Sequence, residues 1–292
     1  MPMRKRVNKG PWMKRKTGST IRKGIIFSVL LIVTFLVDLP LISMVGTSFK
    51  ANDKVLSSTT LFPAAGEWSI ENFTDVLTKT NFGRNIFNSF WISVLATLIC
   101  VAAASMAGYG ISRFKGKFIR AYSGLIFLMQ MFPLMLLIIP MFVLYSRYGM
   151  VNKPLAVAVY YGANNLAFNI MMIRSFFDSI PRELEDAGKI DGCTNFHAFM
   201  KIILPVSLPG IATIGIMTFL NCWNEFTFAS LLLRKSGAQT LTVGLTNFVQ
   251  QSSSNWGYLM AASTIAVIPA LIFLIFAQKY LVQGMTSGAV KG

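Results

Sequence analysis

Amide and carboxylate side chains lie inside two apolar stretches of this sequence, residues 154–177 and 206–233. A polar group in an apolar segment is costly to bury and is therefore often functional. The candidates for a ligand path are Asn164, Asn165, Asn169, Asn221, Asn224 and Glu225. The alternative is that these groups form hydrogen bonds between helices and fix a bundle. The sequence leaves both interpretations open.

The cysteines and the single histidine do not indicate a metal site or a disulfide. Cys193 and His197 have the i, i+4 spacing of two metal ligands, but no third or fourth ligand is nearby. Cys100 and Cys222 lie far apart inside apolar stretches, and the chain has no CxxC motif. We therefore predict no metal centre.

A nucleotide-hydrolysing motif is also missing. Gly116 and Lys117 are similar to the end of a phosphate-binding loop, but Ile111 stands where its first glycine is needed and Phe118 where Ser or Thr is needed. One histidine, His197, leaves few His-based hydrolase mechanisms. We predict that the chain is not an enzyme and needs no cofactor of its own.

The composition predicts an integral membrane protein. Of 292 residues, 54% are hydrophobic and 13% are charged, against about 25% charged residues in a usual soluble domain. Six apolar stretches are each about long enough to cross a bilayer core of roughly 30 Å as a helix. We predict an all-α fold with spans near residues 24–48, 86–111, 121–146, 154–177, 206–233 and 259–281.

The basic residues between the spans predict the orientation. The chain has 27 Lys and Arg against 11 Asp and Glu. Nucleic-acid binding would need a soluble basic face, which this pattern lacks. Most Lys and Arg outside the spans lie in a tail, residues 1–23, and in the segments after the even-numbered spans. This places both termini in the cytoplasm. A six-helix domain, residues 24–283, would end in a cytoplasmic tail, residues 284–292.

Two long segments, residues 49–85 and 234–258, then lie on the outer side. Both are interpreted as solvated connectors, with a short helix near Asn72–Leu77 in the first. Loops of this length are nevertheless often functional.

The inner segment from 178 to 205 is long and strongly patterned. Asp178 and Ser179 are candidate N-caps of a first helix, Gly192 can end it, and Thr194 can cap a second helix. In the first helix, Leu184, Ala187, Gly188 and Asp191 share one face of small or short groups, predicted to face the cytoplasm. In the second, Phe196, Phe199, Met200 and Ile203 form an apolar stripe, predicted to anchor it.

This segment resembles the EAA loop of ABC importer permeases. The matching positions are Asp186-Ala187-Gly188, Gly192 and Ile202-Ile203-Leu204-Pro205. Asp186 and Gly188 depart from the usual Glu and Ala. The stretch Ile180-Pro181, Glu183-Leu184 and Ile190-Asp191 is similar to the sugar-importer branch. The tail from Leu281 to Gly292, with Ser230–Arg234 and Thr240–Gly244, resembles the MalG-like maltose and maltodextrin family over all six spans.

The resemblance implies the type I, MetI-like permease fold and a function in oligosaccharide import across the bacterial cytoplasmic membrane. It implies a second homologous permease in a heterodimer, two cytoplasmic ABC ATPase subunits that hold ATP and magnesium, and an extracytoplasmic sugar-binding protein. The outer segment 234–258 is similar to the loop that enters the binding protein. The ATPase-coupling residues would be Glu183, Glu185, Asp186, Ala187, Gly188, Asp191, Gly192, Ile202, Leu204 and Pro205.

Maltodextrin is the first substrate that the resemblance implies, and galacto-oligosaccharide or another glycan is the alternative. A secondary transporter is a further alternative. It would use intramembrane acids for energy coupling, and Asp38 and Glu225 are present, but without the pattern of a proton or ion relay.

Overall fold

The computed structural model describes residues 14–250 and 256–289. Most of the predicted basic tail (residues 1–13), the serine run 252–254 and the last residues of the C-terminal tail (290–292) lie outside the described residues.

The described part of the chain is helical, and its β pairing is limited to an isolated antiparallel bridge between Lys50 and Trp68. The first six helices are α1 (Lys14–Ser48), α2 (Glu71–Thr78), α3 (Phe82–Arg113), α4 (Lys117–Met131), α5 (Leu134–Arg147) and α6 (Pro154–Ser179). The next three are α7 (Glu183–Ile190), α8 (Asn195–Ala198), which continues through a π turn (Phe199–Ile203), and α9 (Leu204–Val206). The last four are α10 (Leu208–Asn224), α11 (Thr227–Leu232), α12 (Leu241–Gln250) and α13 (Trp256–Ala289).

Three helices among the described residues are long and apolar enough to cross a membrane: Arg22–Ser48, Phe82–Arg113 and Trp256–Phe276. Two bent helix pairs, α4 with α5 and α8–α9 with α10, bring the number to at most five. The predicted fourth span forms the 26-residue helix α6, but this helix is not in that set. Its asparagines make it more polar, which a helix surrounded by other helices tolerates better than one facing lipid.

The helices of the predicted third and fifth spans are broken, for local reasons. The third is broken at Phe132, whose backbone is extended because the next residue is Pro133. The fifth is bent by 76° between α9 and α10, at Ser207. It stops again after Asn224, where Glu225 is extended and a new short helix begins.

The centre of the bundle is α3, which packs along α6 and also against α10. Small residues permit this approach. A Cβ atom built on Gly108 of α3 would lie 2.6 Å from Ile173 Cγ2, and one built on Gly162 of α6 would lie 3.2 Å from the carbonyl oxygen of Ala96. The two backbones are therefore close at two levels of the bundle.

The first outer segment is folded, and it contains the predicted short helix as α2. Asn72, which is buried, donates from Nδ2 to the carbonyl oxygens of Ser48 (3.2 Å) and Lys50 (2.7 Å). At the other end of α2, Lys79 Nζ donates to Asp75 Oδ2 at 2.8 Å, and Tyr258 of α13 donates to the same oxygen at 2.6 Å. The hydrogen bond from Lys79 is the main cause that lowers the pKa of Asp75 below 3.8.

The second outer segment is not the solvated connector that was predicted. It contains α12, and Leu241, Val243 and Phe248 are buried in it. Asn88 of α3 donates from Nδ2 to the carbonyl oxygen of Gln239 at 3.0 Å. The apolar side chains of a short helix are buried only where neighbouring helices cover them. Here α3 and α13 provide that surface.

Candidate functional site

Residues 178–205 form two short helices with a turn between them. The turn contains Gly192 with a φ of +85°, a conformation that favours glycine, and Thr194 Oγ1 caps α8 by accepting from the backbone N–H of His197 at 3.3 Å. The predicted helix end at Gly192 and the predicted cap at Thr194 are therefore confirmed. The predicted caps Asp178 and Ser179 are wrong, because α6 continues to Ser179 and α7 begins only at Glu183.

The helix α7 has an exposed side and a buried side. Leu184, Asp186 and Ala187 are exposed, whereas Glu185 and Gly188 are buried. A Cβ atom on Gly188 would clash with Ile202 Cδ1. The prediction that Gly188 faces the cytoplasm is therefore wrong. Gly188 lets α7 pack against the helix that follows it, and Ala187 is the small residue that remains accessible.

The apolar stripe of the following helix is also divided. Phe199 and Ile203 are buried against α3 and α6, as predicted for an anchor. Phe196 and Met200 are 65% and 44% exposed. They therefore do not anchor the helix on this chain.

The remaining predicted coupling residues lie along the same two helices. Glu183 is exposed in the first turn of α7, and Asp186 pairs with Lys189 at 3.2 Å. Asp191 and Gly192 are exposed in the turn. Ile202 and Leu204 are partly buried and Pro205 is exposed.

Glu185 of α7 forms hydrogen bonds and an ion pair with residues at the end of α3. Its carboxylate accepts from Arg113 Nε, and the two side chains are 6% and 8% exposed. The hydroxyl of Tyr109 donates to Glu185 Oε2 at 2.9 Å. Arg113 Nη2 also donates to the carbonyl oxygen of Ile180 at 3.1 Å, between α6 and α7. Removing one partner of a buried ion pair typically costs about 3–5 kcal/mol, so this contact is a strong constraint on the loop.

A second group of hydrogen bonds surrounds this pair. Ser112 Oγ donates to Asp178 Oδ1 at 2.6 Å and accepts from Arg113 Nη1 at 3.1 Å. Arg182 Nη2 donates to the carbonyl oxygen of Ser112 at 3.2 Å. The end of α3 is therefore bonded to both ends of the connection between α6 and α7.

Sequence reasoning missed Tyr109, Ser112 and Arg113. In the sequence, Arg113 is one of the basic residues after the second span that predict the orientation. The signal that could have found them is spacing: Tyr109 and Arg113 are four residues apart and so share one face of α3.

Of the predicted ligand path, Asn169 joins three helices. It is 1% exposed, and its Nδ2 donates to Thr218 Oγ1 at 2.6 Å and to Cys100 Sγ at 3.1 Å. Asn165 donates from Nδ2 to the carbonyl oxygen of Tyr161 at 2.9 Å, and its Oδ1 accepts from Asn221 Nδ2 at 3.1 Å. These contacts favour the interpretation that the two α6 amides fix the bundle.

Glu225 stabilises the break between α10 and α11. Its carboxylate accepts from the backbone N–H groups of Phe228 (2.8 Å) and Ala229 (3.3 Å) and from the hydroxyl of Tyr161 (2.5 Å). It thus satisfies amides that have no partner within their own helix. The carboxylate is occupied on three sides, which is not the environment of a free ion-coupling acid.

The other three residues of the predicted path are accessible in different places. Asn221 and Asn224 are exposed on α10. Asn164 lines a largely apolar cavity of about 530 Å³ beside α4, with Leu128, Phe132 and Tyr160. The structure therefore brings Asn165, Asn169 and Asn221 together at the α6–α10 contact and leaves Asn164 apart from them.

No cluster of three metal-ligating side chains occurs within residues 14–250 and 256–289. Cys193 and His197 lie at the turn and at the start of α8, where Nδ1 of His197 is within 3.0 Å of Thr194 Oγ1.

Comparison with known proteins identifies the family. Residues 99–287, more than half of the chain, match the family described as "Binding-protein-dependent transport system inner membrane component". The chain belongs to this family. Its members are membrane permeases of ABC importers and not enzymes, and ATP is hydrolysed on a partner ATPase. The prediction of a multi-pass protein of the cytoplasmic membrane is confirmed at this level.

Three curated relatives cover most of this permease. The probable ABC transporter permease protein YurM of Bacillus subtilis is 35% identical over 87% of this chain and 83% of its own length. The arabinooligosaccharides transport system permease protein AraQ of Halalkalibacterium halodurans is 30% identical over 96% and 100%. The trehalose/maltose transport system permease protein MalG of Thermococcus litoralis is 33% identical over 87% and 91%.

A solved structure shares the fold of this permease. A chain of a bacterial ABC transporter involved in the import of the acidic polysaccharide alginate superposes with a TM-score of 0.79, covering 90% of this chain and 97% of that chain. Its sequence identity is 22%, so this likeness concerns the fold alone. The predicted MetI-like ABC permease fold is confirmed.

Proposed function

We propose that this permease carries oligosaccharides, with maltodextrin as the first candidate substrate. The observation that carries the proposal is the family match, together with relatives whose names specify arabinooligosaccharide and trehalose or maltose transport. Those relatives differ in substrate at similar identity. They support an oligosaccharide more strongly than any one sugar, and galacto-oligosaccharide remains the alternative.

The proposal includes a topology of six spans with both termini in the cytoplasm. The five span candidates plus α6 make six, and α6 packs along the central helix α3 within the bundle. The predicted inner segments then hold most of the Lys and Arg residues. Residues 178–205 lie on the cytoplasmic side, and the folded segments around α2 and α12 lie outside.

The proposed partners follow from this topology. The exposed side of α7, with Leu184, Asp186 and Ala187, docks on a cytoplasmic ATPase subunit that holds ATP and magnesium. A second homologous permease completes a heterodimer with two ATPase subunits. An extracytoplasmic sugar-binding protein delivers the substrate to the outer segments, and the alginate transporter solved with a periplasmic protein supports this arrangement.

Asn221 and Asn224 are the residues of this chain that we assign to the substrate path. Both are exposed on α10 and have amide groups that can bind hydroxyls. Asn165, Asn169 and Glu225 are less exposed than Asn221 and Asn224, and we assign them to holding the helices in place through their hydrogen bonds.

Uptake of labelled maltotriose by cells with and without this chain tests the substrate. Loss of uptake on deletion, with no competition from unlabelled galacto-oligosaccharide, is the expected result. Uptake that is unchanged by deletion contradicts maltodextrin as substrate. Restoration of the wild-type gene on a plasmid is the control for effects on neighbouring genes.

A further inference from the structure

The contact between Glu185 and the end of α3 does more than hold the loop. We propose that the buried pair Arg113–Glu185 is the link through which α7 and α3 move as one body, so that the motion of the ATPase reaches the central helix. This inference rests on the proposed function. It assigns Arg113 and Glu185 as positioning residues, distinct from the surface that touches the ATPase.

The geometry separates these two roles within one helix. Asp186 and Ala187 are exposed, whereas the neighbouring Glu185 is 4% exposed and points to α3. A force applied to the exposed side must pass through the buried side to reach the spans. On that side, a Cβ atom on Gly188 would meet Ile202 of the following helix and Cys193 of the turn, while Glu185 contacts α3 directly.

The bonds at this contact are charged and directional. Arg113 binds both Glu185 and the carbonyl oxygen of Ile180, and Tyr109 adds a hydrogen bond from one turn deeper in α3. Charge-assisted hydrogen bonds in a buried site resist bending more than apolar contact does. The end of α3 and the start of α7 therefore have little freedom to slide against each other.

The position of the pair at the end of α3 determines which other helices its displacement would move. Helix α3 packs along α6 and α10, the two helices that carry the polar residues of the predicted ligand path. A displacement of the inner end of α3 is therefore applied to the helices that line that path. No other described ion pair joins α7 to a membrane-crossing helix.

The test is a neutral double variant, Arg113→Met with Glu185→Gln, in the complete importer complex. Removing both charges leaves no unpaired buried ion, and Gln keeps an acceptor for Tyr109. We expect the variant to insert and to retain its ATPase subunits. We expect the amount of sugar transported per ATP hydrolysed to fall at least about fivefold, the lower end of usual coupling strengths. Lys115→Met, which removes an exposed charge from the connection between α3 and α4, is the matched control and should leave transport per ATP unchanged.

A distance measurement separates a link from a merely structural contact. Spin labels at Phe114→Cys and Ile190→Cys, both exposed positions, report the separation of the ends of α3 and α7 once Cys100, Cys193 and Cys222 are replaced by alanine. The distance should be the same with and without ATP when Arg113 and Glu185 are present. It should change with ATP in the neutral double variant.

Two results overturn the inference alone: full transport per ATP in the neutral double variant, or an ATP-dependent change of the 114–190 distance with the pair intact. A wild-type chain that binds no ATPase subunit overturns the proposed function, and the inference with it.

Discussion

At the residue scale, the decisive distinction is between the accessible and the buried groups of α7. Ala187 is exposed, whereas a larger side chain at the buried Gly188 would meet Ile202. A substitution at Gly188 would therefore disturb the loop itself. Ala187 is the position at which docking can be tested without that effect.

Replacing Ala187 with Trp should abolish uptake while the chain still inserts in the membrane at normal amounts. The bulky ring would prevent close approach of the ATPase, whose co-purification should be lost with it. Ala121→Trp, at an exposed position near the start of α4, is the matched control and should transport normally. Normal uptake by the Ala187 variant would remove α7 from the docking surface.

The sequence identified the accessible residues of the loop better than its internal contacts. Glycine and threonine at the turn carry local conformational preferences, so Gly192 and Thr194 could be placed from sequence. The partner of Glu185 could not, because Arg113 is 72 residues away and charge alone does not say which carboxylate it meets. The same applies to Asn169, whose partners Cys100 and Thr218 lie on two other helices.

At the element scale, the contact of α3 with α6 depends on glycine at chosen positions. Gly108 lies against Ile173, the Ile170 carbonyl oxygen and the backbone of Arg174, whereas Gly110 on the same helix has open space around it. Two residues of the same type in one helix thus have different roles.

Gly108→Ala should lower the thermal stability of the purified permease, and Gly110→Ala should raise it. Alanine gains up to about 1 kcal/mol over glycine in a helix, but overpacking at Gly108 costs about 1–3 kcal/mol. Thermal unfolding in detergent measures both variants side by side. Equal stabilisation by the two substitutions would show that the close α3–α6 approach does not occur.

Helices could be predicted from the sequence where the apolar stretches are long. The positions at which those helices break could not. The break between α4 and α5 lies at Pro133, whereas the break after Asn224 has no proline. It depends on Glu225 capping a new helix and on Tyr161 holding that carboxylate, a contact between residues 64 positions apart. The burial of α12 likewise depends on surfaces supplied by α3 and α13.

At the scale of the whole molecule, the central helix α3 is bonded at one end to Glu185 in the segment 178–205, the proposed coupling loop. The same helix meets the outer segments at the other end, through Asn88 and Gln239. A single helix, α3, is therefore bonded to both of the segments that carry the proposed partner-binding surfaces. The occupied carboxylate of Glu225 argues against coupling by an intramembrane acid.

The measurement that tests this account most directly is uptake by vesicles that contain the purified permease pair, with the ATPase subunits, the binding protein and ATP added or omitted in turn. A panel of labelled oligosaccharides, including maltotriose, supplies the substrate. We expect accumulation only when the ATPase subunits and hydrolysable ATP are both present. Accumulation driven by a proton or sodium gradient without the ATPase would contradict it.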